Sequence, residues 1–507
     1  IYKVLRQSKD PLVQESFGEL LSIRRRIAAL GGAELKSEKP KMYKKQMAQL
    51  VEQKNVLEGK LSRLSKAFAQ TQKNKQADAV MVARALPQDA VLIDLARVVM
   101  ADFKNFKRAS PHYIAFIVHA GRGEDVAMVD LGNADAIDKM VSLFRQELAS
   151  HSANYAETAR ALYAQLVKPL KEALGNARQL FISPDGPLNL IPFEALQTPD
   201  GRFLLEDYRL SYLTAGRDVL RFGKPRHKKN KALLMGDPNF AMGHKQKVVT
   251  LAQLAVQNHS ENMQTRSFEM DKLHFKRLAG TLEEIKEIQA LLGPEHASLY
   301  SGDRALEEVL WQHENPHIVH LATHGFFLKD QDLSALPPGP QQRGFIKITR
   351  PKKRRPGRIR IENPMLRSGL ALAGANHKAE ENAGDGLLTA EEVVGLSLDE
   401  TELVVLSACE TGLGKVTVGE GVFGLRRAFI EAGVASLVMS LWQVPDKETR
   451  ELMTAFYKRL LHDKLPRAEA LRQAILEQIQ RVKDRYGHRN PFYWAAFVLA
   501  GEANRPL

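Results

Sequence analysis

Beyond about residue 90 this chain keeps to one rhythm, short apolar runs alternating with stretches of helical spacing. The pattern is plainest after about residue 270. A helical stretch at 281–292 precedes the apolar runs "HIVHLATHG" (317–325) and "LVVLSA" (403–408), and helical "GVFGLRRAFIEAG" (421–433) precedes "SLVMSLWQV" (436–444). Helical stretches at 447–462 and 467–483 and a final run "AAFVLAG" (495–501) follow. Runs that are apolar throughout predict strands buried on both faces, and strands separated by helices predict a parallel sheet covered on both sides. The fold class is therefore α/β. In such sheets ligands bind beyond the carboxyl ends of the strands. His324 and Cys409 both fall at such ends.

Upstream, "YIAFIVH" (113–119) and "VAMVDLG" (126–132) predict the two strands of a hairpin. Helices follow over "DAIDKMVSLFRQELA" and "YAETARALYAQLVKPLKEAL", then a strand and turn in "RQLFISPDGPLNLIPFEAL", and "KALLMGDPNF" (231–240) opens another strand unit. Residues 1 to about 80 read differently. Tyr43, Met47, Leu50, Leu57, Leu61, Leu64 and Phe68 recur at three- and four-residue steps, with Lys54 in the gap, which predicts a helical hairpin or short coiled coil. "LGGAELKSEKPK" (30–41) has the Gly and Pro of the loop between two helices. No repeat of about 34 residues recurs within this segment, so it does not by itself declare a helical-repeat array. The chain begins at Ile1 rather than Met, as a fragment of a longer protein would.

Composition narrows the function classes. No apolar run approaches the ~18 residues of a membrane span, and "IYKVLRQSKD" has no apolar signal-peptide centre. A single cysteine in 507 residues cannot form an internal disulfide, which fits a reducing, cytoplasmic setting. The net charge of +14 is concentrated: "KITRPKKRRPGRIR" (347–360) carries eight Lys or Arg and no acid, and "RFGKPRHKKNK" (221–231) carries six more. No aromatic residues interleave with the longer run as a nucleic-acid stacking platform requires. These stretches are expected to be solvated loops or a proteolytic target, and direct nucleic-acid binding is not expected.

The chemistry centres on "HLATHG" and "LSACETGLG". A free thiol has a pKa of ~8.5, and an imidazole beside it both raises its nucleophilicity and can protonate a leaving amine. Adjacent parallel strands stand about 4.8 Å apart, so groups at neighbouring carboxyl ends can meet. Glycine after the histidine, Gly325, lets a peptide N–H approach a developing oxyanion unobstructed. Taken singly, Cys409 could equally be a buried core residue and His324 a satisfied one. A zinc reading fails. His320 and His324 on one strand are roughly 13 Å apart, and position 321 is Leu rather than Glu; His320 is expected to be a buried structural residue. "GEGVFG" (419–424) matches a dinucleotide turn, but Thr411 to Val418 separate it from the preceding strand, where such a turn would follow directly.

Several blocks in order resemble the CHAT family of caspase-like cysteine peptidases, which are related to separases. They are "ISPDGPLNLIPFEAL", "HLATHGFF", "RSGLALAGAN", "GDGLLTAEEV", "LSACETGLG", "GEGVFGLRRAFIEAGVASLVMSLWQVPD" and "PFYWAAFVLAG", spanning roughly residues 90 to 501. The resemblance implies a caspase-like, parallel-rich sheet with flanking helices. It implies two protease-like halves, an inactive one at 86–265 and an active one at 266–507, after a helical segment at 1–85 that is a hairpin or the end of a TPR-like array. It implies a cysteine endopeptidase with His324 and Cys409 as dyad, and Gly325 and Cys409 N–H groups as oxyanion donors. It needs no metal or organic cofactor. The implied partners are a protein substrate and a protein regulator or activator acting through the N-terminal helices. The competing reading is a catalytically idle scaffold for protein–protein interaction. Around the nucleophile the animal-caspase sequence Gln-Ala-Cys-x-Gly is replaced by Ser-Ala-Cys-Glu-Thr-Gly, and the segment from Phe327 to Arg367 is longer than the family's usual one.

The resemblance implies that the strand after the nucleophile borders the first specificity pocket, and the likeness to separases that an acid there faces the side chain being recognised. Here that strand holds Ser440 and Trp442 and runs to Asp446. A carboxylate in the pocket pairs with Arg or Lys, so cleavage after a basic residue is expected, with Trp442 walling the neighbouring pocket. Asp446 could instead cap the helix that begins at Lys447. Glu410 and Asp385 are further acidic candidates. A basic preference would make the loop holding Arg350, Arg354, Arg355 and Arg358 a self-cleavage or regulatory site.

Overall fold

The computed structural model describes residues 5, 8, 10–32, 40–64, 76–102, 107–226, 230–256, 270, 273–328, 364–377, 385–407, 409–410, 420–442 and 444–507. The side chains of some helix and strand residues, Cys409 and Glu410 among them, are outside that description. Arg350, Arg354, Arg355 and Arg358 lie outside the described residues, as does Phe68.

The chain divides into two compact units, Ile1–Gln76 with Lys329–Pro364 and Ala77–Leu328 with Met365–Leu507. In the first, Asp10 accepts from the Leu12 N–H at 2.9 Å and Pro11 follows it, a capped start for the helix Pro11–Gly32. That helix lays Val13, Phe17, Leu20 and Ile23 against Leu50, Leu57 and Leu61 of the helix Pro40–Leu64. The apolar stripe read from the sequence holds at these three positions and fails at Leu64, which is 38 % exposed in the last turn.

The second unit is built on an eleven-stranded sheet in the order β3-β2-β1-β4-β5-β15-β14-β12-β8-β6-β7. Its strands are β1 (Ala90–Asp102), β2 (Lys107–His119), β3 (Arg122–Asn133), β4 (Gln179–Ser183), β5 (Arg209–Tyr212), β6 (Ala232–Pro238), β7 (Ala297–Gly302), β8 (Ile318–Ala322), β12 (Leu403–Leu406), β14 (Ser436–Ser440) and β15 (Phe497–Gly501). β1, β4 and β5 are parallel, as are β14, β12, β8, β6 and β7. β8, β12 and β14 are buried at every position, as expected of largely apolar strands covered on both faces. β15 pairs antiparallel with β14 and parallel with β5. At that join the Ser211 hydroxyl donates to the Gly501 carbonyl at 2.8 Å, and one sheet runs through. β6 stands between β7 and β8, so the two groups of strands change over between Tyr212 and Ala232. Among the flanking helices, Gly280–Leu292 packs on Asp446–Leu461, which packs on Arg467–Tyr486.

A second, four-stranded sheet, in the order β11-β10-β9-β13, was not foreseen from the sequence. It comprises β9 (His324–Phe327), β10 (Ser368–Ala371), β11 (Leu387–Thr389) and the two-residue β13 (Cys409–Glu410). The expectation that His324 ends the "IVHLA" strand is corrected here. β8 stops at Ala322, the chain breaks at Thr323, whose hydroxyl donates to the Ala371 carbonyl, and His324 opens β9 in the smaller sheet. Gly369 of β10 marks how closely this sheet is assembled, since a Cβ there would come within 2.7 Å of the Phe326 ring and 2.9 Å of the Thr389 backbone.

Candidate active site

β8 and β12 are neighbours in the large sheet, with Leu321 opposite Leu406. Their continuations neighbour each other in the small one, where Cys409 stands in parallel register with His324 and Glu410 with Gly325. Two independent ladders therefore bring the backbones of the two residues side by side, about 4.8 Å apart by the spacing of paired strands. Gly325 also faces Leu370 of β10 across an antiparallel pair.

The His324 side chain is buried among aromatic rings. Phe240 and Phe275 lie with ring centroids 5.4 and 5.7 Å from the imidazole. Its Nε2 is 2.7 Å from the Lys276 carbonyl oxygen. A carbonyl only accepts, so Nε2 carries the proton in the neutral ring and Nδ1 is left as the basic nitrogen. Nδ1 is buried with no hydrogen-bond partner among the described residues. Sequence reasoning missed the Lys276 carbonyl, because a backbone acceptor in an irregular segment has no side-chain signature.

Burial holds the His324 imidazole below its ordinary value near ~6.5, against the opposing pull of the Lys276 carbonyl and Asp446. The folded ring resists protonation, so the unfolded chain takes up the proton first as pH falls. Its contribution to stability is full above ~6.5 and is lost as pH falls through the lower folded value. The imidazole resonances of His324 are expected to titrate below ~6.5, and lower still in Asp446→Asn, where a charge that favours the imidazolium is gone; a midpoint unmoved by that substitution would separate the two groups electrostatically.

Asp446 is the first residue of the helix Asp446–Leu461, and the N-cap position is taken by Pro445. The capping alternative is therefore not what the structure contains, although an acid in the first turn still suits the helix dipole. Its carboxylate packs over Gly280, where a Cβ would stand 2.5 Å from Oδ2. Burial and the nearby Glu284 raise it above the usual carboxylate range, while His324 pulls it down. Ser440 ends β14 and is buried, and the partly buried Trp442 donates its indole N–H to the Phe492 carbonyl at 3.0 Å. Asp385 accepts from the Leu387 N–H at 2.9 Å and lies near Glu307. His320 is fully buried, with Nε2 3.0 Å from Glu284 Oε1 and Nδ1 3.2 Å from the Tyr457 hydroxyl.

Fold and site together define an α/β protein in which a histidine and the sole cysteine are brought into register beyond the ends of adjacent parallel strands. The CHAT domain model matches residues 156–502, and the chain belongs to that family. Tetratricopeptide repeat protein 28 of Homo sapiens is 27% identical over 350 residues, and that of Mus musculus 27% over 352, in each case 68% of this chain. The chain spans 13% of the length of these relatives. Among solved structures, the Saccharomyces cerevisiae separase–securin complex aligns over 97% of this chain and 38% of its own, at 7% identity and a TM-score of 0.40. The Arg-specific cysteine proteinase gingipain R aligns over 74% of this chain and 75% of its own, at 9% identity and a TM-score of 0.37. No helix among the described residues is long and apolar enough to cross a membrane.

Proposed function

We propose that the protein is a cysteine endopeptidase with His324 and Cys409 as its dyad. The observation that carries this reading is the register of Cys409 with His324, joined to a histidine whose Nε2 is held by a carbonyl and whose Nδ1 is left over. In this reaction Nδ1 takes the thiol proton as the sulfur attacks the scissile carbonyl carbon. The C–N bond breaks, the proton passes to the leaving amine, and a thioester remains. Water, deprotonated by the same nitrogen, then releases the acid and restores the thiol. Peptide N–H groups of Gly325 and Cys409 serve as oxyanion donors.

Asp446 is the acid of the first specificity pocket in this reading, which selects Arg or Lys before the cut. Its nearness to His324 supports that role. Two protease-like halves make up the second unit, and the position of β6 favours a division within residues 213–231 over one near 265. The helices Pro11–Gly32 and Pro40–Leu64 end a repeat array through which a protein regulator acts, in keeping with the name of the curated relatives.

The test incubates wild type and Cys409→Ala with a peptide library varied at the residue before the cut. Cleavage after Arg or Lys by the wild type alone supports the reading. Asp446→Asn is expected to lower kcat/KM for basic substrates roughly 10- to 100-fold, the worth of a charge-assisted hydrogen bond. A Leu or Asp preference would sink the pocket assignment. No cleavage by either protein, with candidate activators added, favours the idle scaffold.

A further inference from the structure

The imidazole at the centre of the site is oriented by a backbone carbonyl, and that carbonyl belongs to neither a helix nor a strand. Residues 273–278 form an irregular stretch, and the Lys276 side chain itself is exposed. A carbonyl in such a stretch keeps its aim only if its neighbours are held. Phe275 donates its N–H to Asn376 Oδ1 at 2.8 Å, and Asn376 Nδ2 donates back to the Phe275 carbonyl at 2.9 Å. The amide side chain thus pairs with the backbone as a facing strand would. Asn376 is pinned in turn, its own N–H donating to the Phe240 carbonyl at 2.9 Å.

On the other flank, Arg277 meets Asp237 through two parallel bonds, Nε to Oδ1 at 2.9 Å and Nη2 to Oδ2 at 2.7 Å. The carboxylate is buried and the guanidinium 72% exposed, so the fixed partner is the aspartate. Asp237, the penultimate residue of β6, lies in the left-handed region, at φ 46°, with its N–H donated to Thr281 Oγ1 at 2.8 Å. The Thr281 hydroxyl donates to the Leu278 carbonyl at 2.7 Å. Residues 275 and 277 are therefore each tied to a different element, with Lys276 between them.

We propose that Asn376 and the Asp237–Arg277 pair are positioning residues, a clamp on Phe275–Arg277 that aims the Lys276 carbonyl at His324 Nε2 and so keeps Nδ1 as the base for Cys409. This rests on the dyad reading above. The clamp acts on the tautomer and rotation of the ring, because a neutral imidazole that lost its carbonyl could turn over and offer the wrong nitrogen.

Cys409 is the only cysteine, so the rate of thiol alkylation by iodoacetamide across pH reports this one group in the intact chain and needs no substrate. With His324 as base, the wild type keeps an alkylation shoulder below the ~8.5 of a free thiol, because the imidazole accepts the thiol proton. His324→Ala deletes the shoulder and leaves one ionisation near ~8.5. Asn376→Ala is expected to lower the rate at pH ~7 on the order of tenfold, and Arg277→Gln about threefold, with Arg277→Lys recovering part of the loss. Arg277 is exposed, and Gln or Lys there can still donate to the buried Asp237 carboxylate, so these variants are expected to keep the fold even if Asn376→Ala does not, and circular dichroism checks both. If His324→Ala loses the shoulder while folded Asn376→Ala and Arg277→Gln retain it in full, the clamp is overturned and the dyad stands. If His324→Ala leaves the profile unchanged, the dyad reading falls and the clamp with it.

Discussion

Cys409→Ala is expected to reduce peptide cleavage to the uncatalysed background, and His324→Ala to lower kcat/KM roughly 10²- to 10⁴-fold. The two losses differ in kind. Removing the thiol removes the atom that forms the acyl-enzyme, whereas removing the imidazole leaves a thiol that ionises near ~8.5 and still attacks at alkaline pH. His324→Ala should therefore regain activity as pH rises, and Cys409→Ala should not. The double variant should be no worse than Cys409→Ala alone, because residues that act as a unit do not contribute additively. Steady-state kinetics on a peptide cut by the wild type checks all three. Equal residual rates for wild type and Cys409→Ala would place any observed cleavage outside this site.

The largest effect on stability is expected far from the chemistry, at Glu402. Arg467 opens the helix Arg467–Tyr486 fully buried, with Nη2 on the Glu402 carboxylate and Nη1 donating to Ser436 Oγ at 2.9 Å. Glu402 is itself 8% exposed. Cutting one partner out of a buried ion pair leaves the other charge desolvated and unpaired, which costs about 3–5 kcal/mol, whereas replacing both by apolar residues is often neutral. Glu402→Ala should lower the denaturant midpoint accordingly, while Glu402→Leu with Arg467→Met should be less destabilised than Glu402→Ala alone. If the double variant were as unstable as the single one, the pair would be stabilising in its own right and not merely mutually dependent.

The central strands β8, β12 and β14 of the large sheet were legible because they make no compromise with solvent. "LVVL", "SLVMS" and "IVHLA" are predominantly apolar and buried at every position, so length and flanking helices sufficed to read them. The hairpin β2–β3 was legible in outline from its apolar runs, although β2 extends upstream to Lys107 and β3 to Arg122. The small sheet was not, since "HGFF", "SGLA", "LLT" and "CE" are too short for any period to show and pair only because the fold delivers them. At the site, His324 and Cys409 stood out as reactive residue types at run ends. Their register could not be read, because it depends on a break at Thr323 and a return of the chain through β10. Asp446 was legible as an acid after a strand. That it begins its helix rather than capping it is a matter of one residue, set by Pro445.

The break at Thr323 has a thermodynamic corollary. It assigns the fold and the alignment of His324 with Cys409 to different ladders. Severing β12 from β8 would open the core of the eleven-stranded sheet, whereas severing β13 from β9 gives up a rung two residues long. Elements with so few contacts open at a small fraction of the global unfolding free energy. The alignment of His324 with Cys409 and foldedness are thus two equilibria in this chain, and a ligand that favours the short ladder by even ~1.4 kcal/mol would multiply the aligned population relative to the open one tenfold.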